Sequence, residues 1–184
     1  MKKQNIQLKE TCIKDMNEIL QVEKHAFGGD EEAQLTSELL IDTSAKPLLS
    51  LLAFDKEKAV GHILFTRAYI HSKSNQTLIH ILAPLAVIPE YQNQGIGAKL
   101  IDEGMERLQK MGSEMVFVLG HIDYYPKHGF IPNAEKLGYP APYPIPEEVK
   151  DAWMVQSLSP NGFVCEQGNI ICAHAMDKPE HWRE

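Results

Sequence analysis

The stretch Val87-Ile88-Pro89-Glu90-Tyr91-Gln92-Asn93-Gln94-Gly95-Ile96-Gly97-Ala98 constrains this chain more than any other segment. It joins a long apolar run, Thr77–Val87, to the clearest helical pattern in the sequence, Gly95–Met111. Ile96, Leu100, Ile101, Leu108 and Met111 share one face of that helix, Lys110 lies in its last turn and Gly112 can close it. Met115–Leu119 follows as a continuous apolar strand. A strand–helix–strand unit of this kind sets its two strands parallel through a right-handed crossover. Two glycines one residue apart at a helix start let the backbone approach a bulky anion closely. The free first-turn N–H groups and the positive end of the helix dipole then face that anion. The donors are main-chain amides, so no lysine is required, and a pyrophosphate suits the site.

Around this unit the pattern predicts further elements. Asn5–Cys12 reads as a strand, and Met16, Ile19, Leu20 and Phe27 recur at helical spacing behind Thr11 as a cap. Gly28-Gly29 ends that helix, and Asp30 caps a second one carrying Leu35, Leu39 and Leu40. Leu48–Phe54 and Ala59–Ala68, joined by Asp55-Lys56-Glu57-Lys58, form a hairpin, with Gly61 marking a bulge. His71–Gln76 is a turn. Pro84 falls inside Thr77–Val87 and cannot donate to a ladder, so that strand is expected to be bulged or unpaired on one side there. Tyr124–His128 is a short helical turn, Gly138–Pro146 a stiff loop with four prolines, and Trp153–Leu158 and Ile170–Ala175 two final strands. The order is β-α-α-β-β-β-α-β-α-β-β, a mixed, mostly antiparallel α/β sheet flanked by helices.

A chain of 184 residues fits a single domain spanning 1–184. Its motif-bearing core covers about 5–135, and the proline-rich loop and last strands about 138–184. No apolar run approaches the ~18 residues that cross a bilayer, and the basic Met1-Lys2-Lys3 is not followed by the apolar region of a secretory signal. Membrane association is therefore not expected. Cys12, Cys165 and Cys172 form no Cys-x-x-Cys pair, which points to reduced thiols in a cytoplasmic protein and to no metal site. Eighteen Lys and Arg against 25 Asp and Glu give a net charge of −7. An acidic chain without a basic cluster does not track a phosphate backbone, so nucleic acid is not an expected partner, whereas a cationic amine is permitted.

Alone, Gly95-Ile96-Gly97 leaves several ligands open. A P-loop needs Gly-Lys-Ser/Thr, which Lys99-Leu100 does not supply, and a dinucleotide fingerprint needs a third glycine where Leu100 stands. With its neighbours the stretch resembles the acetyl-CoA motif of the GNAT superfamily of N-acetyltransferases, Gln/Arg-x-x-Gly-x-Gly/Ala. Here it runs Gln92-Asn93-Gln94-Gly95-Ile96-Gly97, preceded by Val87 and Pro89. Val60-Gly61-His62-Ile63 is similar to that family's third strand, and Tyr125-Pro126-Lys127-His128-Gly129-Phe130 to its Tyr-x-x-x-Gly-Phe segment. The predicted element order also matches, as a bacterial-type, single-domain member with the acyl-CoA N-acyltransferase fold.

The resemblance implies a mechanism. Acetyl-CoA is the cosubstrate and no metal is involved. Backbone groups of Leu85, Ala86 and Val87 would hold the pantetheine arm in a gap between splayed strands. Gln92 begins the motif, and the amides of Asn93, Gln94, Gly95, Ile96, Gly97 and Ala98 would hold the pyrophosphate. Tyr125 matches the tyrosine that protonates the leaving sulfur, with Tyr124 one residue out of register as its fallback. Thr77–Val87 departs from many members in having no carboxylate to serve as base. His121, at the end of the next strand, is the candidate, and His80 or a chain of waters are the alternatives. The acceptor is a primary amine of a small molecule or of a peptide or protein, bound by 27–35 and by Gly138–Pro146. Glu31 and Glu32 either attract its ammonium group or simply favour a helix N-terminus. A homodimer is among the assemblies left open. Two rival readings remain, a non-catalytic acyl-CoA-binding sensor or partner module on the same fold, and a nucleotide-binding enzyme.

Overall fold

The computed structural model describes residues 5–71, 77–163 and 166–183. Most of the expected turn His71–Gln76, and Cys165, lie outside them. Strands β1 (Ile6–Glu10), β2 (Leu49–Asp55), β3 (Lys58–Ile70), β4 (Ile79–Val87), β5 (Met115–Leu119), β6 (Ile131–Pro132) and β7 (Trp153–Ser157) form one sheet in the order β1-β2-β3-β4-β5-β7-β6, and β8 (Ile170–Ile171) pairs with β3. Every pairing is antiparallel except β4 with β5, the parallel pair expected from the strand–helix–strand unit. The helices are α1 (Met16–Phe27), α2 (Glu31–Ile41) and α3 (Ile96–Lys110).

The expected order of elements holds, with local corrections. Tyr124–His128 proves to be a 3-10 turn, Tyr125–His128. The last strand shortens from Ile170–Ala175 to two residues, because a 3-10 turn starts at His174. The added strand β6 is also two residues long and contains a proline, too short to show any alternation. Thr11 does not cap α1. Its hydroxyl donates to Ser50 Oγ at 2.8 Å, while the Asp15 carboxylate accepts from the Cys12 N–H at 2.8 Å. Asp30 stands at the N-cap of α2, but its carboxylate pairs with Lys24 Nζ at 2.8 Å.

Helix α3 is positioned by close packing. Ile96, Leu100, Ile101, Met105 and Leu108 bury its apolar stripe, each worth about 1.5–3 kcal/mol by area removed from water. It ends in a Schellman motif, with Gly112 N–H bonded to Gln109 C=O (3.0 Å) and Ser113 N–H to Leu108 C=O (2.9 Å). A Cβ at Gly104 would stand 2.3 Å from the Phe65 ring, so this glycine lets the helix lie directly on β3. Gly61 does the same nearer the helix start, where a Cβ would meet Leu100, Ile96 and the Ala86 carbonyl at 3.1–3.2 Å. The register shift expected near Gly61 lies beside it, between the pairs Ala53↔Gly61 and Phe54↔Ala59. A second buried cluster joins α2 and the later strands through Leu39, Leu64, Phe117, Trp153 and Trp182.

His80 is fully buried in β4, with Nε2 donating to Pro47 C=O and Nδ1 accepting from Ser113 Oγ, each at 2.8 Å. Burial lowers its pKa to about 4, with a further push from Arg67. It ties β4 to the turns at Pro47 and Ser113 and is not a catalytic base. The unfolded chain takes up a proton on this ring below about pH 6.5, which the folded protein resists down to about 4. Stability is therefore lost as pH falls through that window, by about 3 kcal/mol in total from this group. Urea unfolding between neutral and acid pH is expected to show this loss in the wild type and a shallower slope in His80→Asn.

Candidate active site

Strands β4 and β5 stay paired only as far as Leu82↔Val118. Beyond that point β4 carries one extra residue against β3, between the pairs Phe65↔Leu82 and Ile63↔Leu85, so the chain bulges where Pro84 lacks an N–H. It then continues beside β3 to Val87, with no strand paired on its other edge among the described residues. The Ile88 N–H bonds to Val60 C=O at 3.0 Å. Alternation along the ladder therefore turns the main-chain groups of Ala86 toward His62, and those of Leu85 and Val87 toward the gap. Of the three residues expected to line the gap with their backbones, Leu85 and Val87 do so and Ala86 does not.

After the gap, Pro89–Tyr91 makes a 3-10 turn. Two glutamines brace the loop that follows. Gln92 Nε2 donates to Val87 C=O (2.9 Å), and Gln94 Nε2 to Glu90 C=O (2.8 Å). Both side chains hold the turn in shape, leaving the main chain as the available donor surface. Asn93 (φ 57°) and Gly95 (φ 80°) take left-handed conformations, which aim successive amides to one side. The amides of Ile96, Gly97 and Ala98 form the open first turn of α3 and have no acceptor within the helix.

Gly97 is the floor of this concavity. A Cβ there would lie 2.4 Å from the Tyr124 hydroxyl and 3.7 Å from a Leu85 methyl. Tyr124 thus reaches from the end of β5 to the start of α3, and burial, with Asp102 nearby, raises its phenol pKa. Tyr125 points elsewhere. It is 8 % exposed and lies edge-on to Phe130, with its ring across Gly120, where a Cβ would be only 2.4 Å away. The turn is tied to β5 by the His121 carbonyl, which accepts from the Tyr124 (3.0 Å) and Tyr125 (3.2 Å) amides.

A cavity of about 820 Å³ opens at the break in β4. Ala83, Pro84 and Leu85 of β4 and Gly120, His121 and Tyr125 after β5 line it, so both expected catalytic residues border the same cavity. Phe27, Glu31, Glu32 and Leu35, from the expected acceptor segment 27–35, line it as well. The proline-rich loop does not. Pro140–Ile145 encloses a separate hollow of about 240 Å³ with Lys150 and Trp153. The remaining wall comes from Met176 and Lys178–Arg183, which the sequence reading left without a role. Trp182 is the signal that could have found it, since an indole near a chain end asks for a core to bury in. Cys172 is buried, and burial pushes its thiol pKa up to about 12, so it holds no thiolate. Among the described residues there is no cluster of His, Cys, Asp or Glu fit to hold a metal, and no helix long and apolar enough to cross a membrane.

These features have counterparts in known proteins. The acetyltransferase (GNAT) family model matches residues 13–130. The uncharacterised N-acetyltransferase YjhQ of Escherichia coli K12 is 57 % identical over 159 residues, covering 86 % of this chain and 87 % of its own. The fold superposes on the E. coli GNAT N-acetyltransferase YhbS in complex with CoA, at a TM-score of 0.82 and 24 % identity over 94 % of this chain and 92 % of that one. It also superposes on a Brucella melitensis GNAT acetyltransferase in complex with acetyl-CoA, at a TM-score of 0.73 and 25 % identity over 95 % and 99 % of the two chains. The chain belongs to the GNAT family of N-acetyltransferases and is an acyltransferase.

Proposed function

We propose that this chain is a single-domain cytoplasmic enzyme that transfers acetyl from acetyl-CoA to a primary amine by direct attack. The observation that carries this reading is the parting of β4 from β5 beyond Leu82, beside an open helix N-terminus. The gap is lined by main-chain groups that an extended pantetheine arm can pair with like a missing strand. The amides from Asn93 to Ala98 suit a diphosphate, because they are fixed donors at the positive end of a 15-residue helix.

Acetyl-CoA, when bound, would supply an acetyl group activated as a thioester. The N–H of Leu85 or Val87 then polarises the thioester carbonyl, and a fixed donor of this sort is worth roughly 3 kcal/mol. His121 accepts the proton that an alkylammonium acceptor must lose before it can attack. The nitrogen–acyl bond forms as the carbon–sulfur bond breaks, and the Tyr125 hydroxyl gives its proton to the departing sulfur and regains one from the acylated nitrogen, which leaves a neutral amide and a free thiol. Tyr124 lies on the α3 side of the gap and contributes to holding the cosubstrate, because its hydroxyl sits over Gly97.

Two experiments test this reading. Gly97→Val drives a branched side chain against the Tyr124 hydroxyl and Leu85 and so displaces the first turn of α3, and calorimetric titration is expected to show CoA binding weakened at least about tenfold. A wild type that takes up no CoA would sink the proposal. Tyr125→Phe is expected to lower kcat about 100-fold with the acetyl-CoA KM unchanged, whereas Tyr124→Phe raises that KM. His121→Ala is expected to lower kcat with the acetyl-CoA KM unchanged; an unaltered kcat would take His121 out of the mechanism.

A further inference from the structure

The C-terminal arm, Met176–Arg183, lies beyond the segment that matches the family model, yet it supplies part of the cavity wall. It is fixed at several points. The His174 N–H donates to Ser44 Oγ (2.8 Å) and the Ala175 N–H to Asp42 Oδ2 (2.9 Å), both in the turn after α2. Tyr143 donates to Asp177 Oδ1 (2.9 Å). Trp182 is 1 % exposed, packs edge-on against Trp153 at 5.5 Å, and donates from Nε1 to Met176 C=O (3.0 Å). The arm is therefore a wall built into the core and not a loose tail.

What this wall presents is unbalanced. Lys178 faces Glu38 on α2 at 3.8 Å, so those two charges largely cancel, and Glu180 and Arg183, of opposite sign, also line the cavity. Glu31 and Glu32 line the same cavity and have no ion-pair partner among the described residues. His181 also lines it, and its Nε2 is buried without a hydrogen-bond partner. A buried ring nitrogen left unpaired is costly unless something that enters the site completes it.

We propose that the arm and the facing carboxylates of α2 select the acceptor. The favoured acceptor is a small aliphatic amine with a second cationic group. The reacting nitrogen sits at the Tyr125–His121 end of the cavity. The distal ammonium lies between Glu31 or Glu32 and the arm, and it donates to His181 Nε2. A distal carboxylate meets like charge and is rejected. The proposal rests on the acetyltransferase reading of the cavity, and a binding measurement separates the two.

Three probes of matched length serve, namely 1,4-diaminobutane, butylamine and 4-aminobutanoate, titrated calorimetrically into the free and the CoA-saturated protein, and also assayed as acceptors. The diamine is expected to bind at least about tenfold more tightly than butylamine, with 4-aminobutanoate the weakest. The double variant Glu31→Gln/Glu32→Gln is expected to bring the diamine and butylamine within about twofold of each other. His181→Ala is expected to raise the KM for the diamine while leaving kcat and the acetyl-CoA KM unchanged; a purely structural role would move all three. Equal binding of the probes, or a preference that survives these variants, overturns the proposal. Binding in the expected order without acetyl transfer overturns the acetyltransferase reading instead and leaves the selectivity standing.

Discussion

The structure turns on one interruption of backbone pairing. From Ile79 to Leu82 strand β4 is hydrogen-bonded on both edges, and from Leu85 onward on one edge only. Pro84 marks the change, since a proline in a ladder leaves its partner without a donor. A buried sheet seldom leaves strand edges open, because unpaired N–H and C=O groups are costly away from water. Here the open edge belongs to Leu85 and to the N–H of Val87, whose carbonyl is taken by Gln92, and lies beside a cavity that Leu85 lines. A local defect in the sheet thereby becomes the feature that an extended ligand completes.

Such a defect is useful only if its surroundings do not move, and two kinds of contact hold them. One is apolar and close, with Phe65 against Gly104 and the Leu100 and Ile96 side chains against Gly61 fixing α3, and so its open amides, relative to β3 and β4. The other is polar and buried. Glu23 on α1 accepts from His62 Nδ1 at 2.5 Å, His62 Nε2 meets Ser50 Oγ at 2.9 Å, and Ser50 accepts from Thr11. Burial raises the Glu23 pKa, opposed by its bond to His62. Losing one partner of a buried pair like this costs about 3–5 kcal/mol, because the other is stranded. His62 pairs in the ladder with Ala86, so the same network that docks α1 holds the strand whose neighbours Leu85 and Val87 face the gap.

Much of this was legible in the sequence because the informative signals are local. Helical period, glycine spacing and a proline in an apolar run depend on neighbours a few residues apart, and they located α3, the phosphate-binding turn and the break in β4. What was missed depends on distant partners. Whether Gly138–Pro146 or the C-terminal arm walls the cavity is decided by which one Trp153 and Trp182 bring to the opening, 29 residues apart in sequence but packed edge to face at 5.5 Å. The alternation that removes Ala86 from the gap follows from the register with β3, which no feature of Thr77–Val87 specifies. His80 looked like a candidate base for its residue type alone; its partners, Pro47 and Ser113, are 33 residues away on either side.

The net charge of −7 poses a problem that the site's construction answers. A polyanionic cosubstrate approaches an acidic protein against its field, but that repulsion is screened over about 8 Å at physiological ionic strength. The attraction at the start of α3 acts at hydrogen-bond distance, through donors oriented by Asn93, Gly95 and the helix dipole, and is screened far less. On the proposed reading, short-range dipoles would bind the anion while the long-range field remains negative. The same field draws a cationic amine toward the cavity from a distance. Replacing the amide cradle with lysines would also bind a diphosphate, but it would add positive charge close to the cavity and weaken that attraction. Under the proposed function, main-chain anion binding would let one acidic surface serve two substrates of opposite sign.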